Sequence, residues 1–353
     1  MPVTMRDVAE RARVSVATVS KCLRSRGNIS AATRAEVLRL AEEMGYRTHP
    51  FVSALMQTRR RKRTSGAQQP VLAYVTAFQT HDGWAKMPSP LLRLLFDGAK
   101  ERAAGRGYQL SHFWLYRDGM SNQRFSEMLR ARGVRGVFLT PLPRLGMQID
   151  LKWEYFSVVA HGLSIAHPVF HRTSNDHYQS MMLALHECHR NGYRRPGFVM
   201  DGPLCQRLEH RWEAAFMIER EKLGFDTGVR SLLYQTWDAD EVRRWVRREK
   251  PDVMISLLQE DQMQQLAARG LRMPEELGLV SLSVHDPESR ISGIHQNARL
   301  IGRVAVDKLI DLVERNESGV PEDPITLTIE GKWHPGHTLH YLPADDRAGH
   351  HVI

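Results

Sequence analysis

The sequence predicts a small all-α head of three helices and a hinge helix, joined to an α/β core of two doubly wound lobes. Within the first 45 residues, apolar side chains recur at helical spacing, which favours short packed helices. From residue 71 onward, short apolar runs alternate with longer amphipathic segments. This alternation is typical of parallel sheets covered by helices on both faces, and its length favours two sheets.

The segment TMRDVAERARVSVATVSKCL at residues 4–23 has the pattern of a helix-turn-helix. Thr4 and Asp7 have capping-box spacing, and Ser15 is placed to cap a second helix. Only Arg13 and Val14 separate the two helices, so the helices must cross at a steep angle. A second helix held in this way projects into a major groove of DNA.

A third helix, a hinge helix and a linker are expected to complete the N-terminal part. Ser30 is placed to cap the third helix and Gly45 to end it. Its predicted buried face holds Val37, Leu38, Leu40, Ala41 and Met44. The expected domains are a helix-turn-helix domain at 1–49, a hinge helix at 50–58, a basic linker at 59–70, a two-lobed domain at 71–342 and a tail at 343–353.

The core is predicted to alternate strands with helices. The strands are expected at 71–78, 108–116, 134–142, 156–162, 195–200, 252–258 and 277–284, and the helices at 91–108, 125–133, 177–193, 212–225 and 242–250. Ligands of doubly wound folds bind outside the carboxyl ends of the strands, so the cleft between the two lobes is the expected ligand site.

The net charge is confined to the N-terminal part of the chain. Residues 1–63 contain 14 Lys or Arg and 5 Asp or Glu, a charge of +9, whereas the rest has 35 of each kind and is neutral. A polyanion partner for the head follows, because each neutralised phosphate releases counterions. A membrane surface is the weaker alternative, since the segment lacks an apolar face with aromatic anchors. The expected partner is double-stranded DNA.

Composition excludes several other classes of protein. The 353 residues include three cysteines, Cys22, Cys188 and Cys205, which form no disulfide framework and have no metal-ligand spacing. The histidines also lack a recognisable ligand set, so neither a metal nor a cofactor is expected. No signal peptide and no run of roughly 18 apolar residues is visible, and a cytoplasmic protein is therefore predicted.

With these motifs together, the chain resembles the LacI/GalR family of bacterial repressors. In the head the match rests on Thr4, Asp7, Val8, Ala9, Ala12, Val14, Ser15, Thr18, Val19, Ser20, Ser30, Thr33, Arg34 and Tyr46, with Lys21 where an Arg is usual. In the core it rests on NGYRRPGFV (191–199), Arg211 followed by Phe216, GLRMPEELGLVSLS (270–283), SGIHQNARLIGRVAVDKLIDL (292–312) and a closing strand LTIEGKW (327–333).

The resemblance implies a homodimer that reads a near-palindromic operator and a periplasmic-binding-protein-like core that senses a small effector, with a carbohydrate as the first expectation. It also implies that Leu55 of the hinge helix wedges into the minor groove. Arg13 replaces a common turn glycine, Gln259-Glu260 stands where Asn-Asp is usual, and Ser283 stands where an Asp often binds ligand.

Candidate DNA contacts follow from the second helix and from the resemblance. Val16 and Ala17 are short and apolar, which suits a thymine methyl group, whereas Lys21 reaches guanine or a phosphate. Phosphate contacts are expected from Ser15, Ser20, Asn28, Arg24, Arg34, the run Arg59–Arg63 and Thr18, for which local helix capping is the alternative. The resemblance adds Thr4, Tyr46, His49 and Ser53.

Candidate effector contacts lie at predicted strand ends and lobe crossovers. Arg211 matches the family's ligand-binding arginine, and its donors suit adjacent hydroxyls or a carboxylate. Phe78, Asp176, Gln259, Glu260, Ser283, His285 and Gln296 complete the set, each with surface or core packing as the alternative. Trp84, Trp114 and Trp212 either stack on a sugar ring or belong to the core.

Two other functions compete with that of a ligand-controlled repressor. An enzyme fused to a DNA-binding head is disfavoured, because the sequence has no phosphate loop, no nucleophile elbow and no dinucleotide-binding fingerprint. A ligand-independent or architectural DNA-binding protein with a vestigial core stays open.

Overall fold

The computed structural model describes residues 3, 5–23, 29–44, 69–144 and 147–343, with only the backbone for Met5, Ala17, Ser20, Leu23 and Asp118. The predicted hinge helix at 50–58 lies outside the described residues, as does the linker up to residue 68 and the tail from residue 344. Also outside them are Thr4, Arg24, Asn28, Gly45, Tyr46, His49, Ser53 and Leu55.

Three mutually packed helices form the head: α1 (Met5–Arg11), α2 (Val16–Leu23) and α3 (Ala31–Glu43). Their shared core contains Val8, Ala9, Val19, Cys22, Val37 and Ala41. Two predicted caps are confirmed, because Ser15 Oγ accepts from the Thr18 amide at 3.0 Å and Ser30 Oγ from the Thr33 amide at 3.1 Å.

The predicted buried position of Leu38 is wrong, since its side chain is 43% exposed. Val37, Leu40 and Ala41 follow the three- and four-residue spacing of one helix face and are buried. Leu38 is rotated by about 100° from Val37, which turns it away from that face.

Two six-stranded sheets form the core. The first contains β1 (Val71–Thr76), β2 (Gln109–Trp114), β3 (Gly136–Leu139), β4 (Ser157–His161), β5 (His171–Asn175) and β11 (Thr326–Ile329), in the order β11-β5-β4-β3-β1-β2, with every pair parallel. The second contains β6 (Pro196–Asp201), β7 (Leu232–Tyr234), β8 (Val253–Ser256), β9 (Gly278–Val284), β10 (Gly293–His295) and β12 (Lys332–His334), in the order β12-β10-β9-β8-β6-β7, with β12 antiparallel.

Helices cover both faces of each sheet, as predicted. The first sheet carries α4 (Leu91–Gly105), α5 (Asn122–Ala131) and α11 (Ala298–Arg315); the second carries α6 (His177–Arg190), α7 (Gly202–Arg207), α8 (Arg211–Lys222), α9 (Ala239–Glu249) and α10 (Glu260–Ala268). In β1, Ala73 packs into one apolar cluster and Leu72 into another. No helix among the described residues is long and apolar enough to cross a bilayer.

The chain passes between the two lobes three times, at residues 175–177, 295–298 and 329–332. The single closing strand expected at 327–333 is therefore wrong: it is β11 in the first sheet and β12 in the second. Gly331 lies at this crossover, where a Cβ atom would come within 2.4 Å of Ile294 Cγ2. The chain runs too close to β10 for a larger residue, and it leaves the first sheet there.

A close helix contact in the first lobe gives a stability prediction. A Cβ atom at Gly302 of α11 would lie 2.1 Å from the Leu95 carbonyl oxygen of α4. We expect Gly302→Ala to force the helices apart and lower the free energy of unfolding by about 1–3 kcal/mol. Gly105→Ala in α4, where nothing lies within 4 Å, is the matched control. Urea unfolding of both variants checks this, and equal midpoints would contradict the close contact.

Candidate functional site

The second helix of the head presents one face to solvent. Val16 opens α2 and is 44% exposed, and Lys21 is exposed one turn further on. Val19 of the same helix is fully buried against α1 and α3. The packing therefore fixes α2 through Val19 while leaving the predicted base-contacting side chains of Val16 and Lys21 free. Ala17 and Ser20 lie in α2, but their side chains are not among those described.

The start of α2 also presents a hydroxyl pair. Ser15 Oγ and Thr18 Oγ1 are 2.8 Å apart, and Ser15 Oγ additionally accepts from the Thr18 amide. Only one of the two hydroxyl hydrogens is used within the pair, so the other remains available as a donor. Helix capping and phosphate contact, the two alternatives for Thr18, are thus compatible.

Two arginines of the head have unusual environments. Arg13, in the turn before α2, has a φ of 51°, the left-handed conformation that favours glycine. Arg13 therefore adopts the backbone conformation that glycine would favour in this turn, and this lowers the stability of the folded head by about 1 kcal/mol. Arg34 of α3 has a buried Nε without a hydrogen-bond partner among the described residues.

In the core, polar side chains from both lobes meet near the first crossover. His161 ends β4 and lies level with Thr173 of β5. His177 opens α6, and its ring centroid lies 4.7 Å from that of Trp212, near the start of α8. Burial lowers the pKa of His177 to about 3, with smaller electrostatic contributions from the nearby side chains of Arg211 and His161. Burial also lowers the pKa of His161 to about 4, so both imidazoles are neutral at pH 7.

A second group of side chains joins the lobes beyond β9. His285 Nε2 lies 2.8 Å from Ser283 Oγ in its own lobe and 3.3 Å from Ser89 Oγ, which precedes α4 in the first lobe. Burial lowers the pKa of His285 to about 4, and the nearby His295 adds to this. The Arg207 guanidinium makes another bridge, donating to the Leu142 carbonyl at 3.1 Å.

Several buried polar atoms around these strand ends have no hydrogen-bond partner among the described residues. They are His161 Nδ1, Thr173 Oγ1, Trp212 Nε1, Ser256 Oγ and His285 Nδ1. An unsatisfied buried polar atom costs about 1–3 kcal/mol, so such a concentration at one end of two sheets is unusual for a structural core. Both donors and acceptors are present, because a neutral imidazole offers one nitrogen of each kind.

The other predicted effector residues have the following places. Phe78 lies two residues beyond β1, half-buried, and its carbonyl accepts from Trp114 Nε1 at 2.8 Å. Asp176 caps α6 by accepting from the Gln179 amide at 3.0 Å. Arg211 begins α8 and pairs with Glu209 at 2.7 Å.

Three predicted residues lie further along the second lobe. Gln259 forms a capping box with Gln262 at the start of α10, and Glu260 is the exposed first residue of that helix. Gln296 is buried and donates through Nε2 to the Leu282 carbonyl at 2.7 Å. Arg211 lies close enough to His177 to lower its pKa, whereas Gln259 and Gln296 have local partners.

Several of the polar residues without a hydrogen-bond partner in the described part of the chain were not among the predicted effector contacts. His161 ends a strand that the sequence predicted, so its position at a strand end was a usable signal. Ser256 likewise ends β8. Thr173 carried no such signal, because β5 was not predicted.

The head and the core of the chain match two different models of known protein families. Residues 4–49 match the family model of bacterial regulatory proteins, lacI family, and residues 185–338 match the model of the periplasmic binding protein-like domain. The head therefore belongs to the LacI family of bacterial regulatory proteins, and the core contains a periplasmic-binding-protein-like domain. The expected helix-turn-helix head and two-lobed core are thereby confirmed. No curated protein sequence matches the chain.

Solved structures of transcriptional regulators share the fold. A transcriptional regulator CelR–cellobiose complex is 20% identical, with a TM-score of 0.59 over 95% of this chain and 99% of that one. The lac repressor dimer bound to operator and the anti-inducer ONPF is 18% identical, with a TM-score of 0.53 over 96% and 99%. A LacI-family regulator from Silicibacter pomeroyi is 20% identical, with a TM-score of 0.51 over 96% and 99%.

Proposed function

We propose that this LacI-family regulator is a repressor that binds operator DNA as a homodimer in the cytoplasm and is released or recruited by a small molecule, without catalysing a reaction. The exposed face of α2 and the charge of +9 on residues 1–63 support DNA binding by the head. A solved relative, the lac repressor, is a dimer bound to operator.

The proposed DNA contacts fall into three groups. Val16, Ala17 and Lys21 contact base edges, because they open the helix that enters the major groove. Hydroxyl, amide and cationic side chains position the head on phosphates; they belong to Ser15, Thr18, Ser20, Arg24, Asn28, Arg34 and the run Arg59–Arg63. Thr4, Tyr46, His49 and Ser53 support the complex, and Leu55 wedges into the minor groove.

The proposed effector is a sugar or a sugar derivative. The observation that carries this is the set of buried polar atoms without partners at the strand ends of both lobes, which includes His161, Thr173, Trp212, Ser256 and His285. Neutral donors and acceptors suit hydroxyl groups, and Trp212 offers an aromatic surface. Arg211 supplies the single cationic contact that we assign. The solved relative CelR is bound to cellobiose.

In the proposed mechanism, the effector changes the angle between the lobes. Two contacts join the lobes, Ser89 with His285 and Arg207 with the Leu142 carbonyl. In this mechanism they break or re-form as the cleft opens or closes. The change reaches the head through residues 50–58, which fold in the minor groove or melt. Coupling requires only that the effector bind the two states with different affinity.

A panel of sugars, sugar acids and nucleobases tests the effector by thermal shift of the full chain. A compound at 100 times its dissociation constant adds roughly 2.7 kcal/mol of stability. We expect a stabilising compound among the polyhydroxylated members of the panel. Its thermal shift should be lost in Trp212→Phe, because this substitution keeps an aromatic ring but removes the indole N–H that has no partner among the described residues. A panel without any stabilising compound would favour a vestigial core instead.

One lysine and one arginine substitution test the division of the DNA contacts into base contacts and phosphate contacts. Lys21→Ala is expected to relax base preference at one position in each half-site, because Lys21 is assigned to a base edge. Arg34→Ala is expected to weaken all sequences alike and to lower the salt slope by about one, because Arg34 is assigned to a phosphate. Selection from a random duplex library, repeated at several salt concentrations, measures both. Equal loss of specificity in the two variants would contradict the division.

A further inference from the structure

Three side chains with metal-ligating atoms converge at the junction of α7 and α8. The Cys205 sulfur, a His210 ring nitrogen and a Glu213 carboxylate oxygen all lie within 4.8 Å of one another. Cys205 Sγ is 3.6 Å from His210 Nδ1 and 3.8 Å from Glu213 Oε2, and His210 Nδ1 is 2.8 Å from Glu213 Oε2. The spacing Cys-x4-His-x2-Glu was not recognised in the sequence.

These separations are close to those of a tetrahedral metal site. With a zinc–sulfur bond of about 2.3 Å and zinc–nitrogen and zinc–oxygen bonds of about 2.0 Å, ligand atoms are roughly 3.3–3.5 Å apart. Each of the three observed distances departs from this range by about 0.5 Å or less. A small movement of the His210 and Glu213 side chains away from each other is enough to admit the ion.

The backbone between α7 and α8 is strained in a way that holds this cluster together. Glu209 and His210 are consecutive non-glycine residues in the left-handed conformation, with φ of 54° and 55°. Each costs about 1–2 kcal/mol relative to the right-handed region, so surrounding interactions must fix the turn. The turn directs the His210 ring to Cys205, which precedes it, and to Glu213, which follows it.

Burial and access also suit a bound ion. Cys205 is buried, whereas the His210 and Glu213 side chains are 52% and 21% exposed, so the cluster has a closed inner side and an open outer side. The Cys205 thiol loses its proton to solvent as the metal–sulfur bond forms.

We propose that Cys205, His210 and Glu213 form a binding site for a divalent transition metal, with Zn²⁺ as the ion that a thiolate, imidazole and carboxylate set fits best. Three protein ligands leave the fourth position to water or to another donor. The ion would hold the first turn of α8, and with it Arg211 and Trp212. The site does not depend on the proposed effector function.

Co²⁺ is the probe that tests this, used with the untagged full chain. Tetrahedral Co²⁺ bound to a thiolate gives visible d–d bands and a near-ultraviolet sulfur-to-metal band. We expect both bands to saturate at one ion per chain and to disappear on addition of Zn²⁺. In Cys205→Ser the sulfur band should vanish, whereas Cys188→Ser, which removes a buried thiol that is not one of the three ligands, should leave it unchanged.

Two further variants separate metal binding from folding. Glu213→Gln and His210→Ala keep the thiol and should weaken Zn²⁺ affinity by at least the roughly 10–100-fold seen when a group supporting a metal ligand is lost. Circular dichroism of each metal-free variant establishes that it is folded. No Co²⁺ spectrum in the wild-type chain, or a sulfur band that persists in Cys205→Ser, would overturn the proposal.

Discussion

Val16→Glu is expected to lower affinity for the selected operator roughly 100-fold, because it replaces an apolar contact to a base edge with a carboxylate beside phosphates. Val16 is 44% exposed at the start of α2, so the substitution does not disturb the core of the head. Loss of a single base contact accounts for about 1–3 kcal/mol of the change. Electrostatic repulsion from the DNA backbone supplies the remainder.

Leu38→Glu is the matched control for Val16→Glu. Leu38 lies on α3 and is 43% exposed, nearly the same fraction as Val16, and the charge of the head changes by the same amount. Fluorescence anisotropy with the selected duplex measures both variants. We expect a loss of a few-fold for Leu38→Glu. Equal losses in the two variants would show that α2 does not read bases.

Acidification is expected to destabilise the core strongly between pH 7.5 and pH 5. Burial lowers the pKa of His161 and His285 to about 4 and that of His177 to about 3, against about 6.5 in the unfolded chain. Between these values the unfolded state binds more protons, so stability rises with pH. The stabilisation is fully present above pH 6.5 and is lost as the pH falls towards 4. At pH 5 each histidine has lowered the free energy of unfolding by about 2 kcal/mol relative to its value at neutral pH.

Urea unfolding at pH 7.5 and at pH 5 measures this loss. His177→Gln should reduce the difference between the two pH values by about 2 kcal/mol, since the titrating group is gone. The ionisable groups that affect the pKa of His177 are Arg211 and His161, and both are unchanged in this variant. His340→Gln, at an exposed position, is the control. An equal pH dependence in wild type and His177→Gln would rule out the role of this buried ring.

Much of the fold could be predicted because its signals are local. The caps at Ser15 and Ser30 are formed by hydrogen bonds to residues three positions away, so a short segment contains the whole signal. The strands β1 and β9 are buried on both faces and therefore read as apolar runs.

Other elements could not be predicted because tertiary contacts decide them. The strand β5 has the polar sequence HRTSN, and all five residues are buried between β4 and β11. The helix α10 was not predicted either, and Gln259, expected at the end of a strand, caps it through Gln262. At residues 330–331 an uninterrupted strand pattern hides a crossover between two sheets.

The candidate site divides in the same way. Arg211 and His285 stand out from resemblance or from their position after a strand, whereas His177 and Thr173 become candidates only when two lobes meet. A partnerless polar atom is a property of the packed structure, since any sequence position can satisfy or fail to satisfy it. The sequence can therefore predict that ligands bind near the strand ends, but it cannot predict which polar atoms there lack a partner.

Reciprocal linkage between operator and effector tests the central claim most directly. The affinity of the full chain for its selected operator is measured with and without the stabilising compound, and the affinity for that compound with and without operator. We predict that each ligand changes the affinity of the other by roughly 5–150-fold, a typical allosteric coupling, and linkage requires the two ratios to be equal. If both ligands bind and neither changes the affinity of the other, the chain does not transmit an effector signal from the cleft to the DNA-binding head.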